Sequence, residues 1–209
     1  MSESKKFRTD FDQYTDECRA AVELTMTRLK IIKDSIEHSP VRSPFDSITS
    51  RIKSYESTTA KMKRKGLTTI EEVKTQIRDI GGIRIVVPFQ DDIYAVVERL
   101  ERSPGINIVE KRDYVKNPKP NGYSGFHVIA MVETYAEVSR ITPIEIQVRD
   151  KAMDMWATIE HIVKYKMDDV PESAVGEFKQ IADILNKFDE SAMRLRDKLR
   201  PDIKNPRST

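Results

Sequence analysis

A loop within residues 111–127 carries side chains that are well suited to bind a nucleotide. It contains the cations Lys116 and Lys119, the amide of Asn121 and the aromatic ring of Tyr123. Two prolines favour an extended backbone and an Asn-Gly pair favours a turn, so these residues are predicted to lie on a loop beside a strand. Cations bind phosphates and rings stack on bases, which indicates a nucleotide site. A solvent-exposed polar hairpin is the alternative.

A second group of polar residues alternates along a predicted strand from Ile141 to Arg149. Its apolar residues point to one face, whereas Glu145, Gln147 and Arg149 point to the other. An acid, an amide and a base on one strand face are unsuited to a core. They either face solvent or line a site.

Basic residues are also concentrated between positions 46 and 66. We predict a helix that begins at Asp46, as its N-cap, and ends before Gly66. The cations crowded in this segment include Arg51, Lys53, Lys61, Arg64 and Lys65. Such a charge run is typical of a solvated helix face, and a phosphate-binding surface is the functional alternative.

Composition excludes several classes of protein. The chain has 209 residues, of which 38% are hydrophobic and 33% charged, with a net charge of +2. No apolar run approaches the ~20 residues of a membrane helix, and the N-terminus lacks the apolar segment of a signal peptide. The single Cys18 excludes an internal disulfide and favours a reducing cytoplasm. The histidines (His38, His127 and His161) have no metal-ligand spacing. We therefore expect a cytoplasmic protein that binds no membrane.

The remaining patterns predict an α/β (α+β) fold, with a mixed β-sheet of about five strands surrounded by helices. Residues 1–45 form a helical lead-in, residues 46–168 the main domain, and residues 169–209 a C-terminal helix and tail. Helices are predicted over 8–37, after a capping box at Thr68–Glu72, after Asp91-Asp92, over 150–166 and over 171–199. Further strands are predicted over 83–87, 106–114 and 126–132.

The last predicted helix has a heptad pattern. Its apolar residues recur at alternating spacings of three and four: Phe178, Ile181, Leu185, Phe188, Ala192, Leu195 and Leu199. This spacing is typical of a helix that packs along another helix. We expect the seam to pack on the N-terminal helix of the chain or on a partner subunit.

Four blocks in order resemble the small alarmone synthetases, stand-alone relatives of the RelA/SpoT-type (p)ppGpp synthetase domain of the stringent response. The resemblance covers residues 45–167, and each block is weak alone. The blocks are Arg51-Ile52-Lys53 with Ser57 and Lys61; Asp79 to Arg84; Asp113-Tyr114 through Asn121-Gly122-Tyr123 to His127; and Glu145 to Arg149 followed by Met153 to Ala157 and Glu160-His161.

The resemblance implies a synthetase (nucleotidyltransferase-like) fold and a reaction. Such enzymes transfer the β,γ-pyrophosphate of ATP to the ribose 3′-hydroxyl of GDP or GTP, with Mg²⁺. It also implies roles for matching residues. Asp79 and Glu145 match the catalytic, metal-binding carboxylates, and Glu145 also activates the 3′-hydroxyl. Arg51 and Arg84 match the arginines that flank adenine, and Lys53, Ser57 and Lys61 the ATP phosphate cradle. Tyr123 matches the tyrosine that stacks on guanine, and Arg112, Lys119, Asn121 and His127 match its acceptor-side neighbours.

One departure concerns the acceptor side. The family usually carries Arg-Ser-Leu-His after Gly-Tyr, whereas this chain has Ser124-Gly125-Phe126-His127. The change affects acceptor preference among GDP, GTP and GMP, and it motivates an alternative: a catalytically weak guanine-nucleotide- or RNA-binding regulator on the same scaffold. The retained Asp79 and Glu145 favour an enzyme, because carboxylates repel phosphates unless a cation lies between them.

Two further expectations follow from the resemblance. The chain has no His-Asp pair like that of the hydrolase site in the long bifunctional relatives, so we expect synthesis without hydrolysis. Small synthetases are often tetramers, and the C-terminal seam is a candidate surface for a homo-oligomer.

Overall fold

A five-stranded mixed sheet carries most of the polar residues singled out above. The computed structural model describes residues 3–38, 42–135, 139–164 and 171–201. Its helices are α1 (Glu3–Glu37), α2 (Tyr55–Lys65), α3 (Ile70–Gln76), α4 (Gln90–Arg102), α5 (Lys151–Val163) and α6 (Glu172–Leu199). Its strands are β1 (Ser47–Ile52), β2 (Gly81–Val87), β3 (Asn107–Asp113), β4 (Phe126–Tyr135) and β5 (Ser139–Asp150). The predicted fold class is confirmed.

The strand order brings distant motifs side by side. The order is β1-β2-β5-β4-β3, with β2 and β5 parallel and the other neighbours antiparallel. Gly82 pairs with Glu145, and Arg84 pairs with Gln147. His127 also pairs with Gln147, from the other side. Directly opposed residues share a face of the sheet, so these side chains form one polar row.

The opposite face of the sheet is the main core. Ile83 and Ile85 of β2 and Ile144 and Ile146 of β5 are buried there, as the alternation predicted. They form one cluster with apolar residues of α1 and α4. The sheet is therefore anchored from one side, which leaves its polar face available for a site.

The predicted helix from Asp46 to Gly66 is wrong in its first half. Residues 47–52 form β1, an edge strand that pairs with β2, and the Asp46 N–H donates to the Val86 carbonyl at 2.9 Å. The helix begins only at Tyr55, with Ser54 as its N-cap. Tertiary pairing outweighs the helical spacing of the charged residues here, because β-branched residues of β1 pack well on a neighbouring strand.

Other helix predictions are confirmed. Thr69 and Glu72 form the expected capping box of α3. The apolar stripe of α1 is buried against the rest of the chain. The predicted end of α5 at Lys166 lies outside the described residues. None of the described helices is long and apolar enough to cross a membrane.

The heptad seam on α6 divides between two faces. Phe178 is buried and Leu185 packs against the same small core, because α6 lies against α5 rather than along α1. In contrast, Phe188, Leu195 and Leu199 are each more than half exposed. The seam thus does not pack on the N-terminal helix, and its outer part faces away from the chain.

Candidate active site

Three adjoining clefts run along the polar face of the sheet. The central cleft has a volume of about 230 Å³ and is lined by residues that include Arg51, Asp79, Gly82, Arg84, Glu145 and Gln147. The α5 cleft, about 660 Å³, shares Arg51, Arg84 and Gln147 with it and extends to Lys119, Asn121, Tyr123, His127 and α5. The β3 cleft, about 520 Å³, shares Asp79 and Glu145 with it and extends to Lys61, Lys65, Arg78 and Arg112.

Asp79 lies two residues before β2 and is held by two lysines. Its carboxylate accepts hydrogen bonds from Lys53 Nζ at 2.5 Å and from Lys61 Nζ at 2.8 Å. Burial alone would raise the pKa of Asp79, but the two ammonium groups lower it below its ordinary value. The carboxylate is therefore ionised at neutral pH, and the two lysines are its counter-ions.

Glu145 lies on β5, beside Gly82, and its carboxylate faces the central cleft. Its Oε2 accepts from Gln147 Nε2 at 2.7 Å, and its Oε1 lies 3.3 Å from His127 Nδ1. Burial opposes ionisation, but these neighbours lower the pKa of Glu145 below its ordinary value. The nearby charge of Asp79 acts in the opposite direction. Two ionised carboxylates therefore line the same cleft.

A chain of hydrogen bonds links Glu145 to the aromatic residue of the loop. Burial lowers the pKa of His127, although Glu145 acts to raise it, so the imidazole is neutral at neutral pH. The Tyr123 hydroxyl accepts from Arg149 Nε at 3.0 Å and lies 2.7 Å from His127 Nε2. The hydroxyl therefore donates its proton to Nε2, which places the imidazole proton on Nδ1, toward Glu145.

Tyr123 is more enclosed than a free stacking surface. It is only 5% exposed, and the cationic groups of Lys119 and Arg149 lie 4.8 and 5.2 Å from its ring centre. Gly125 permits this position, because a Cβ there would lie 2.9 Å from the Tyr123 hydroxyl oxygen, at a φ of +149°. Gly125, one of the residues that depart from the family pattern, thus accommodates the buried tyrosine.

The remaining predicted residues divide among the clefts. Arg51 and Arg84 border both the central and the α5 cleft, and Arg84 pairs with Asp154 at 3.4 Å. Lys119 and Asn121 line the α5 cleft. Arg112 instead lines the β3 cleft, where it binds Glu110. Ser57 is exposed on α2, one turn before Lys61, and is not among the residues lining these three clefts.

Three residues without a predicted role also border the clefts. Gln147 and Arg149 follow Glu145 at intervals of two along β5, so strand alternation alone places them on the same face. Glu160 enters the α5 cleft from α5. Its place there depends on how α5 packs beside the sheet, which no local sequence pattern specifies.

Comparison with known proteins gives consistent matches. Residues 50–170 match the family described as "Region found in RelA / SpoT proteins". The chain is 37% identical over 179 residues to GTP pyrophosphokinase YwaC of Bacillus subtilis, covering 84% of this chain and 85% of the relative. It is 33% identical over 181 residues to GTP pyrophosphokinase YjbM of the same organism, covering 85% and 84%.

Solved structures agree with these relatives. Small alarmone synthetase 1 of Bacillus subtilis, bound to its product pppGpp, superposes with a TM-score of 0.85 at 30% identity, over 91% of this chain and 98% of the other. Small alarmone synthetase 2 of the same organism superposes with a TM-score of 0.81 at 33% identity, over 91% and 100%.

Proposed function

Because the chain belongs to the family of the RelA/SpoT region, we infer that it is a GTP pyrophosphokinase, as the sequence resemblance predicted. It transfers the β,γ-pyrophosphate of ATP to the 3′-hydroxyl of GDP or GTP and so makes the alarmones ppGpp and pppGpp. The observation that carries this function is the central cleft. Two ionised carboxylates and two arginines line it, and lysines border it, between two larger clefts.

We propose that ATP binds across α2 and the first two strands. Arg51 and Arg84 flank the adenine, because a planar guanidinium stacks on a base as well as pairing with it. Lys53 and Lys61, with Ser57 on the same helix, hold the phosphates. Both lysines already bind an anion, the carboxylate of Asp79, which supports this assignment.

The residues present fit a Mg²⁺ ion that arrives with nucleotide phosphates. Mg²⁺ is usually bound by one or two carboxylates together with phosphates and water. Asp79 and Glu145 line the same cleft and influence each other electrostatically. In the described part of the chain, no group of three or more His, Cys, Asp or Glu side chains could hold a metal ion. The nucleotide phosphates therefore have to supply the remaining ligands. When bound, Mg²⁺ neutralises phosphate charge during transfer.

On the acceptor side, Glu145 orients the ribose 3′-hydroxyl and accepts its proton as transfer begins. Neutral His127 donates to the other side of that carboxylate through Nδ1–H and fixes its direction. Tyr123, Lys119 and Asn121 bind the guanine nucleotide in the α5 cleft. We propose Arg112 as a contact to the acceptor from the β3 cleft, where it faces the same two carboxylates.

We further propose that the protein forms a homo-oligomer, with a tetramer as the expected state. The support is the outer face of α6, where Phe188, Leu195 and Leu199 are each more than half exposed. Exposed apolar stretches of this kind mark protein–protein contacts. Residues 46–168 are proposed as the catalytic domain.

Incubation of the purified protein with ATP, Mg²⁺ and either GMP, GDP or GTP tests this function. Ion-exchange separation is expected to show a product with two more phosphates than the acceptor, and AMP in equal amount. Glu145→Gln, which keeps the shape of the side chain but removes its basic oxygen, is expected to lower turnover by at least ~10²-fold. Absence of product from the wild type with all three acceptors contradicts the proposed function.

The same assay separates synthesis from hydrolysis. Purified ppGpp is added in place of the substrates, and its level is followed over the same period. We expect it to remain unchanged, because the sequence carries no counterpart of the hydrolase His-Asp pair. Release of pyrophosphate from ppGpp contradicts a synthesis-only enzyme.

A further inference from the structure

Five side chains on the polar face of the sheet form a closed ring of hydrogen bonds. Glu145, Gln147 and Arg149 follow one another on β5, while His127 lies on β4 and Tyr123 in the loop before it. From Arg149, one arm of the ring runs through Gln147 and the other through Tyr123 and His127. Both arms end on the carboxylate of Glu145, one on each oxygen.

The Gln147 arm is directed by Arg149. Arg149 Nη2 donates to Gln147 Oε1 at 2.6 Å, and Gln147 Nε2 donates to Glu145 Oε2 at 2.7 Å. A guanidinium group only donates and an ionised carboxylate only accepts, so one orientation of the amide satisfies both neighbours. The donor to Oε1 thus fixes the orientation and the position of the amide that holds Glu145.

The Tyr123 arm has the same direction. Because Arg149 Nε donates to the Tyr123 hydroxyl, at 3.0 Å, the hydroxyl proton is free to point at His127 Nε2, 2.7 Å away. The neutral imidazole then carries its proton on Nδ1, 3.3 Å from Glu145 Oε1. Every proton in this arm therefore points away from Arg149 and toward Glu145.

The guanidinium group of Arg149 suits a junction of two arms. The residue is only 7% exposed, and its third nitrogen, Nη1, lies 3.5 Å from Asp154 Oδ1 at the start of α5. An arginine presents its donors in a rigid plane, whereas a lysine has one nitrogen. Precise placement of Glu145 matters for the reaction, because a displacement of ~1 Å of a reacting group can cost ~10²-fold in rate.

We propose that Arg149 is a positioning residue that sets the direction of both arms and so aims the free lone pairs of Glu145 at the ribose 3′-hydroxyl. This inference rests on the proposed function, because it concerns the base of that reaction. In this role Arg149 contacts neither nucleotide. The competing role is a direct contact with a phosphate in the α5 cleft, which Arg149 borders and for which its charge alone would suffice.

Two substitutions separate the roles. Arg149→Met is expected to lower kcat by about 10²-fold, while the dissociation constants for ATP and GDP, measured by calorimetry, stay close to those of the wild type. Arg149→Lys is expected to lose nearly as much, because it keeps the charge but not the planar group. A phosphate contact instead predicts weaker nucleotide binding by Arg149→Met and nearly normal turnover by Arg149→Lys, which would overturn the proposal.

Arg196→Lys is the matched control. Arg196 is also a buried arginine that donates from all three nitrogens, to Asp91 and Asp197. It lies on α6 and is not among the residues that line the three clefts. We expect its kcat to equal that of the wild type. A loss as large as that of Arg149→Lys would show that replacing any buried arginine damages the enzyme, and would contradict a specific role for Arg149.

A double-mutant cycle tests whether Arg149 acts through Gln147. Gln147→Met removes one arm only, so it is expected to lower kcat less than Arg149→Met does. Added to Arg149→Met, it is expected to have a clearly smaller effect than in the wild type, because the arm has already lost its direction. Effects that multiply independently contradict the proposal. If Arg149→Met does not fold, as judged by circular dichroism, Arg149→Lys replaces it in the cycle.

Chemical rescue gives a further test. Arg149→Ala leaves a space that opens into the α5 cleft. Guanidinium chloride, at concentrations too low to unfold the protein, is expected to restore part of kcat. Methylammonium chloride at the same concentration is not, because it has a single nitrogen for the two partners. Equal rescue by both cations would assign the effect to charge and overturn the positioning role.

Nitrogen NMR of labelled histidine tests the ring without turnover. In the wild type, at a pH where the imidazole is neutral, His127 is expected to carry its proton on Nδ1. In Arg149→Met part of the population is expected to carry it on Nε2, because the Tyr123 hydroxyl can then accept. The same tautomer in both proteins contradicts the proposal. A wild type that shows the expected shift on substitution but forms no product contradicts the proposed function and supports the direction of the ring.

Discussion

At the residue scale, the hydroxyl of Tyr123 lies between two polar side chains. It donates to His127 Nε2 and accepts from Arg149 Nε, and both partners are buried. Through His127 it reaches the carboxylate of Glu145. The hydroxyl of Tyr123 therefore supports the proposed catalytic base, in addition to any contact between the ring and guanine.

Tyr123→Phe is expected to damage the enzyme although it keeps the ring. The change leaves a buried nitrogen of His127 and one of Arg149 without a partner, which costs about 1–3 kcal/mol of folding free energy. We expect kcat to fall while the KM for ATP is unchanged. Urea denaturation and steady-state kinetics measure the two effects. Tyr55→Phe is the control, because the ring of Tyr55 packs on Phe11. Stability and kcat of Tyr123→Phe equal to those of the wild type would show that the hydroxyl does not support Glu145.

At the element scale, α6 supports the acceptor loop directly. The backbone of Gly122 faces α6 so closely that a Cβ would lie 2.6 Å from Ala182 Cβ and 3.0 Å from Lys179 Cα. Trp156 of α5 also donates to the Phe178 carbonyl of α6 at 2.9 Å. The loop that carries Asn121 and Tyr123 is thus held between two helices and the sheet.

Gly122→Ala is expected to move this loop away from α6. The position has a φ of +86°, which costs a non-glycine residue about 1–2 kcal/mol even before the clash with Ala182. We expect GDP binding to weaken by about tenfold or more and ATP binding to remain unchanged, as measured by separate titrations. Gly176→Ala, in open space on α6, is the control. Equal weakening of both nucleotides would show a general folding defect instead.

A buried carboxylate joins α6 to α4 and makes the stability depend on pH. Asp189 accepts from the N–H of Gln90 at 3.0 Å. Burial, together with the charges of Asp91, Asp92 and Asp150, raises its pKa to about 6. The folded state therefore holds this proton more tightly than the unfolded state, so the free energy of unfolding falls as pH rises from about 4 to 6.

Asp189→Asn is expected to abolish the decrease in the free energy of unfolding with rising pH. The asparagine keeps a side-chain oxygen that accepts from the N–H of Gln90. At pH 7 the variant should be more stable than the wild type by about 1–3 kcal/mol, since each pKa unit corresponds to ~1.4 kcal/mol. The difference should disappear below about pH 4. Urea denaturation between pH 4 and 8 measures it, with exposed Asp183→Asn on the same helix as the control. A stability difference between variant and wild type that is independent of pH would show that the carboxylate of Asp189 does not cause the pH dependence.

The elements also differ in how well sequence predicts them. Strands β2 and β5 alternate clearly, so their faces were predicted, including the polar row of Glu145. In contrast, the segment from Ser47 to Ile52 has no clear alternation, and only its pairing with β2 makes it a strand. The heptad pattern of α6 marks apolar positions but cannot tell which of them α5 covers. The place of Glu160 is likewise set by packing between elements.

At the scale of the whole molecule, the outer faces of α5 and α6 are the main apolar surfaces without a partner in the described structure. Phe188 and Leu195 are 64% and 57% exposed on α6, and Ile162 and Val163 are exposed near the end of α5. Because Leu185 packs inward, substitutions that test assembly belong at the outer positions.

Phe188→Glu combined with Leu195→Glu is expected to reduce the mass in solution, because charges placed in a buried contact are costly. Light scattering coupled to size-exclusion chromatography measures the mass, and circular dichroism checks the fold. Ile31→Glu makes the same kind of change at an exposed position of α1. A folded double variant with the mass of the wild type would show that subunits associate through another surface.

The two lysines on Asp79 have a consequence for the order of binding. Lys53 and Lys61 already balance its charge, so a free metal ion has to compete with two ammonium groups that are tethered in place. We propose that nucleotide phosphates attract both ammonium groups and leave the Asp79 carboxylate free to bind the metal. On this proposal, the two lysines exchange the carboxylate for phosphate when the nucleotide binds. Mg²⁺ alone should leave the melting temperature unchanged, Mg²⁺ with a non-hydrolysable ATP analogue should raise it, and Asp79→Asn should abolish the contribution of the metal.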